Sequence, residues 1–227
     1  MGFDLGHLLN AIPLLLKGAL ITFQVSVIGA LLGIGVGLVL ALMRLSSLTA
    51  INLPAIVYIS LIRGTPLLVQ IFFVYYALPG LLGVDLPAFV AGVMALSLNS
   101  GAFVSEIIRG GISMIPRGQL EAARALGLKT AIIWCRVILP QVFVMIIPPL
   151  TNEFTMLVKA SPLLSVITVV ELTRKAQQIM ILTYRPVEVM IAAATLYFVI
   201  CFLLSTLTRR LEHRAALKGG EGIRSGG

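Results

Sequence analysis

The chain has 227 residues, of which 59% are hydrophobic and only 11% charged, with a formal net charge of +8. A soluble domain is nearer half apolar and a quarter charged, so this composition describes a protein embedded in a membrane, long enough for one domain of about five or six helices. Basic residues collect in the cytoplasmic segments of membrane proteins, so the positive charge does not point to nucleic acid. Cys135 and Cys201 are far apart and belong to no disulfide or metal-binding spacing.

The first 17 residues carry Asp4, His7 and Lys17 but no basic run and no cleavage site, so residues 1–17 are expected to form an extracytoplasmic segment and the first helix to be retained. Charge-free runs then place spans at about 18–43, 60–82, 86–108, 137–158 and 187–208, with the fourth read through Glu153. Together they make one transmembrane domain over 18–212. The first span carries Gly29, Gly33 and Gly37 on one face, a ladder that allows close helix approach, expected within the chain, with a dimer face as the alternative. Pro79-Gly80 and Gly83 close the second span. Residues 162–170 are apolar but too short to cross, and read as a re-entrant or packed segment. The Gly-rich, polar end, 213–227, reads as a disordered cytoplasmic tail.

Orientation follows from the basic residues. With the N-terminus outside and five crossings, Arg44, Arg109, Arg117, Arg124, Lys129, Arg136, Arg209, Arg210, Arg214, Lys218 and Arg224 fall inside. Only Lys17, Lys159, Arg174, Lys175 and Arg185 fall outside, and Arg63 sits near a membrane entry. The excess favours an N-terminus outside and a C-terminus on the cytoplasmic side.

A polar stretch interrupts the apolar pattern at 116–129, PRGQLEAARALGLK. Pro116 can start a helix and Gly127 can end one, and Arg117, Glu121 and Arg124 are spaced for ion pairs. Leu120, Ala123 and Leu126 make a narrow apolar stripe. A helix of about ten residues does not hold in water alone, so the segment needs packing against its own bundle or a partner.

Several intramembrane polar residues stand out. An acid at the centre of a span costs roughly 2.5–3.5 kcal/mol on insertion scales, so Glu153 is expected to face a cavity or a partner and is a candidate for holding a cationic group, with a structural pair to Lys159 or Arg63 as the alternative. Asn99 and Gln70 lie mid-span and are candidates for the same pathway. Asn152 points about 100° away from Glu153. Glu106 and Arg109 are spaced as a structural pair, and Arg63 reads as a snorkelling or capping residue. Phe72, Phe73, Tyr75 and Tyr76 read as an interfacial belt or an outer gate. Glu171, Arg174 and Lys175 read as a solvated outer helix face or a contact for an external protein.

Several separated blocks resemble one family in the right order. The residues Glu121-Ala122-Ala123, Gly127, Val137, Leu139 and Pro140 resemble the coupling motif of ABC-importer permeases, with Val137 in place of the usual isoleucine. RGTPLLVQIFFVYYALP from Arg63, EIIRGGISMIPRGQLEAARALGL from Glu106, PPLTNEF from Pro148 and LLSVITVVEL from Leu163 are similar to the permease subunits of polar amino-acid ABC importers, the His/Arg/Gln/Glu-type permease family. One departure is Lys159-Ala160-Ser161-Pro162-Leu163, where the family commonly has an acid and no proline.

The resemblance implies an all-α, type I permease with five transmembrane helices and a cytoplasmic coupling helix at about 117–128, in which Glu121, Ala122, Ala123, Arg124 and Gly127 dock on a cytoplasmic ABC ATPase dimer. It also implies a second permease subunit, identical or homologous, an extracytoplasmic amino-acid-binding protein, and a place in the bacterial inner membrane. Glu153, Asn99 and Gln70 are the expected substrate contacts. The nucleotide-binding pattern G-x-x-x-x-G-K-[ST] is absent, Gly127-Leu128-Lys129-Thr130 being only a near miss, so no catalytic residue, metal or cofactor is assigned and ATP hydrolysis is expected on a partner. The alternatives are an ion-coupled secondary transporter using Glu153, an ABC permease for another small solute, or a structural membrane subunit with no pathway.

Overall fold

A computed structural model describes residues 5–224. The helices in chain order are α1 (Leu5–Leu45), α2 (Thr49–Gly64), α3 (Leu67–Leu82), α4 (Ala88–Ser113), α5 (Arg117–Ala125), α6 (Thr130–Ile167), α7 (Leu172–Thr183) and α8 (Pro186–Arg224). Four of them, α1, α4, α6 and α8, are long and apolar enough to cross a membrane. The pair α2 and α3, bent by 111°, makes a fifth crossing if it is one broken span.

The most extensive helix pair is α1 with α4. A Cβ on Gly29 would lie 3.2 Å from Leu96, one on Gly33 2.9 Å from Ser100, and one on Gly37 2.5 Å from Val104. Gly101 reciprocates, 2.5 Å from Val36. The glycine ladder therefore packs within the chain, as the sequence suggests. Because the pairings climb together in residue number, α1 and α4 run in the same direction, and the chain must return between them through α2 and α3.

The early half of α1 corrects one expectation. Residues 5–17 are not a separate segment but the first turns of α1. Ala11, Leu15 and Ala19 are buried against Leu172, Ala176 and Ile179 of α7 and Val189, Ala192 and Ala193 of α8, and that apolar contact carries the helix past the charge of Lys17. At the other end, α8 continues to Arg224, so the expected tail over 213–227 is helical up to there; residues 225–227 lie outside the described residues.

The second span departs most from the expected 60–82. The backbone breaks at Gly64-Thr65-Pro66. Pro66 has no N–H and drives Thr65 into extended geometry, φ −120° and ψ 147°, which ends α2. Carbonyls freed by the break are taken by side chains. Thr65 Oγ1 donates to Leu61 O at 2.8 Å, and Gln70 Nε2 donates to Ile62 O at 2.8 Å and Thr65 O at 3.1 Å. The helix at 49–64 escaped the sequence reading because Asn52, Pro54 and Arg63 break up its apolar run.

The fourth span is longer than the expected 137–158 and changes pitch along its length. It opens with a π-helical stretch at Ile133–Ile138, continues as α-helix through Pro148 and Pro149, and closes as a 3-10 helix at Ser161–Ile167. Leu164 and Ile167 in that closing stretch are fully buried in the main core with Val25, Ile71 and Leu96, so the short apolar segment after Pro162 is a packed one. Pro162 sits in the first turn of the 3-10 helix, where a missing N–H costs nothing.

The glycine seam makes a sharp prediction. Gly33→Leu should destabilise the bundle by about 1–3 kcal/mol through overpacking. Gly35, where an added Cβ would meet nothing within 4 Å, should accept Ala with no loss. Thermal melts of the two purified variants check this directly.

Candidate functional site

Glu153 lies about two-thirds of the way along α6 and lines an open cavity of about 310 Å³ between α1, α4 and α6. The walls are apolar, with Leu31 and Ile34 from α1, Val104 from α4 and Phe154 from α6. Ser100 is the polar side chain that α4 contributes, beside Glu153, and its Oγ is buried with no partner at full hydrogen-bond geometry. Thr151, also on the wall, is spent on its own helix, donating to Ile147 O at 2.8 Å and Pro148 O at 2.9 Å. An acid at this depth is costly unless a partner or a cavity group meets it. No ion pair to Lys159 or Arg63, the structural alternatives, occurs among the described residues; Arg63 pairs with Glu106 instead.

Gln70 and Asn99 do not join Glu153. Neither lines its cavity. Asn99 Nδ2 donates to Gln70 Oε1 at 2.9 Å, while Gln70 serves the carbonyls at the α2–α3 break. The two amides thus lock the bend to α4, and the three expected substrate contacts fall into two places. Asn152, next to Glu153, is exposed on the outer face of α6. The signal that would have separated them is angular: Asn99 and Ser100 are neighbours on one helix and point about 100° apart.

Around the aromatic segment, Phe72 and Tyr76 sit 5.8 Å apart by ring centroids and Tyr75 and Tyr76 4.8 Å apart, with Phe73 and Tyr76 exposed. Glu171 is a correction. Far from belonging to a solvated face, it is fully buried as the cap of α7, where its carboxylate accepts from Thr173 N at 2.9 Å, Arg174 N at 2.7 Å and Tyr197 Oη at 2.7 Å. Burial pushes its carboxyl above the usual carboxylate range, against the pull of those hydrogen bonds.

The polar segment after α4 forms a discrete helix, α5. Ala123 is buried and Leu120 half-buried, packed with Ile133, Ile138 and Val142 of α6. Gly127 ends the helix at φ 72°, a left-handed conformation that favours glycine; Leu128 N donates to Ala123 O and Gly127 N to Arg124 O, the two bonds of a Schellman end. The third residue of the expected stripe departs from it, for Leu126 is 78% exposed at the tip. The expected pairs of Glu121 with Arg117 and Arg124 do not form among the described residues, so Glu121, Ala122 and Arg124 stand exposed and uncommitted beside Leu126. Sequence reasoning missed Gln119 and Gln141. Gln141 Nε2 donates to Gln119 Oε1 at 2.8 Å and to Val137 O at 2.7 Å, tying α5 to the π-helical opening of α6.

A helical bundle with a polar cavity group and a small outward-facing helix at one end is the architecture of a membrane transport subunit. The chain belongs to the family of binding-protein-dependent transport system inner membrane components, which matches residues 33–217. It is similar to the glutamine transport system permease protein GlnP of Escherichia coli, 40% identical over 215 residues that cover 94% of this chain and 98% of that protein. It is similar also to the arginine transport system permease protein ArtQ of Bacillus subtilis, 39% identical over 214 residues, covering 94% and 98%. A crystal structure of an amino acid ABC transporter with histidines superposes with a TM-score of 0.90 at 42% identity, over 94% of this chain and 100% of that one. The fold is therefore that of a type I ABC-importer permease, and the chain is a multi-span inner-membrane transport component.

If the amide pair holds the bend, Gln70→Leu and Asn99→Leu should each cost about 1–3 kcal/mol, the penalty of orphaning a buried partner, and the double variant less than their sum. Melting temperatures of the three variants measure the coupling.

Proposed function

We propose that this chain is the permease subunit of an ATP-binding-cassette importer that carries polar amino acids across the inner membrane, with its N-terminus outside and its C-terminus in the cytoplasm. The observation that carries the reading is α5. A short helix braced on one side by Ala123 and Leu120, and presenting an uncommitted Glu121, Arg124 and Leu126 on the other, is built to dock on another protein. The partner would be a cytoplasmic ATPase pair. A second permease subunit and an extracytoplasmic binding protein complete the assembly. The relatives named for glutamine and arginine transport support an amino-acid substrate.

Motion of the docked helix would reach the membrane through the Gln119–Gln141 bond, since Gln141 and Glu153 belong to the same helix. In the cavity, the Glu153 carboxylate would receive a substrate ammonium or cationic side chain, with Ser100 Oγ as its polar companion. Gln70 and Asn99 contribute indirectly in this reading, by holding the bend rather than by touching substrate.

Two variants test the two halves separately in the complex reconstituted in vesicles with its ATPase and binding protein. Glu121→Lys reverses an exposed charge and should cut transport about tenfold or more, equivalent to roughly 1.4 kcal/mol of docking, without changing the melting temperature of the permease. Unchanged uptake in that variant would remove α5 as the docking element. Glu153→Gln keeps the shape and loses the charge; assembly and docking should persist while uptake of the amino acid falls. Loss of assembly would make Glu153 a packing residue instead.

A further inference from the structure

The ends of α1, α2 and α4 bring three guanidiniums onto one carboxylate. Arg109 takes both oxygens of Glu106, with Nε at 3.2 Å from each and Nη2 at 2.7 Å from Oε2. Arg63 of α2 stops at 3.7 Å and Arg44 of α1 at 4.0 Å, near enough for attraction but beyond hydrogen-bond length. Three positive charges against one negative leave two in excess. The Nε of Arg44 is buried with no partner. Arg63 lies over the ring of Phe103, 5.7 Å from its centroid, within cation–π reach. Arg63 and Arg109 remain 47% and 45% exposed.

A second anion is what this cluster lacks, and its surroundings say which kind. Leu53, Ile56, Val57 and Leu61 of α2, the helix whose last turn carries Arg63, are exposed and apolar. The cluster also sits towards the end of α4 that leads into α5, the end assigned above to the cytoplasm. We propose that Arg44, Arg63 and Arg109 hold the phosphate of an anionic phospholipid of the inner leaflet, its acyl chains lying on the exposed face of α2. Fork-shaped guanidiniums suit a phosphate, and basic pockets between transmembrane helices at this depth select lipid headgroups. The assignment uses the orientation proposed above but not the transport activity.

The test is lipid retention by the purified full-length chain, read by native mass spectrometry from mixed phosphatidylglycerol and phosphatidylcholine micelles. Phosphatidylglycerol should be retained over phosphatidylcholine by about tenfold. The double variant Arg44→Gln, Arg63→Gln should bring the two to parity, and Arg63→Lys, which keeps the charge but loses the fork, should lose part of the preference. Glu106→Gln removes the competing carboxylate and should raise retention, a gain that a purely structural cluster would not produce. Parity in the unsubstituted chain, an undiminished preference in the double variant, or a fall with Glu106→Gln in chain that still melts cooperatively would each overturn the proposal. Displacement of phosphatidylglycerol by millimolar inorganic phosphate would also overturn it, by making the ligand a soluble anion.

Discussion

Close approach of α1 to α4 is the constraint from which the rest of the bundle is built. In a bilayer the lipid is as apolar as the side chains, so helices gain little by hiding leucines from it and associate where backbones can touch. The glycines at 29, 33 and 37 on one helix, answered by Gly101 on the other, provide that contact over more than two turns. Two parallel helices held this tightly leave the chain between them a long return journey. The α2–α3 pair makes it, and the sharp break at Gly64-Thr65-Pro66 follows from having to do so beside α4. The walls of the Glu153 cavity are set by the same contact, since Leu31 and Ile34 come from one member of the pair and Ser100 and Val104 from the other.

Polar groups inside this bundle serve its geometry before anything else. Gln70 and Asn99 hold the break, Glu171 caps α7 from a fully buried position, and Tyr197 reaches across from α8 to the same carboxylate. Each is satisfied by a neighbour that sequence alone does not reveal. Glu153 differs, since it lines a cavity with only Ser100 as a polar neighbour. The proposed binding role rests on that contrast, since Gln70 and Asn99 are taken up by the fold while Glu153 faces a cavity.

How far the sequence can be read depends on whether a feature is local. The spans of α1, α4, α6 and α8 follow from charge-free runs, and the α5 helix from Pro116, Gly127 and its ion-spaced charges, because those signals lie within one element. The glycine ladder marks a close helix contact for the same reason, but that its partner is α4 rather than another subunit is read only from the fold. What was not legible depends on partners far along the chain. The helix over 49–64 looks too polar to be membrane-embedded until Arg63 is seen to end at Glu106. Residues 5–17 look like a segment outside the first span until Ala11 and Leu15 are seen to meet α7 and α8. The pairing of Gln70 with Asn99 spans 29 residues, and no spacing rule connects them.

The changing pitch of α6 has a mechanical meaning. A uniform helix is a stiff shaft in which turning one end turns the other by the same angle. Here the hydrogen-bond ladder is widened at Ile133–Ile138, broken by two prolines, and narrowed at Ser161–Ile167. Each change is a place where the ladder can re-index at little energetic cost, because its bonds are already irregular. The shaft thereby becomes a set of coupled segments, each able to take up part of a twist. A rotation entering at Gln141 need not arrive whole at Glu153, and the buried 3-10 end can stay seated in the core while the middle of the same helix turns.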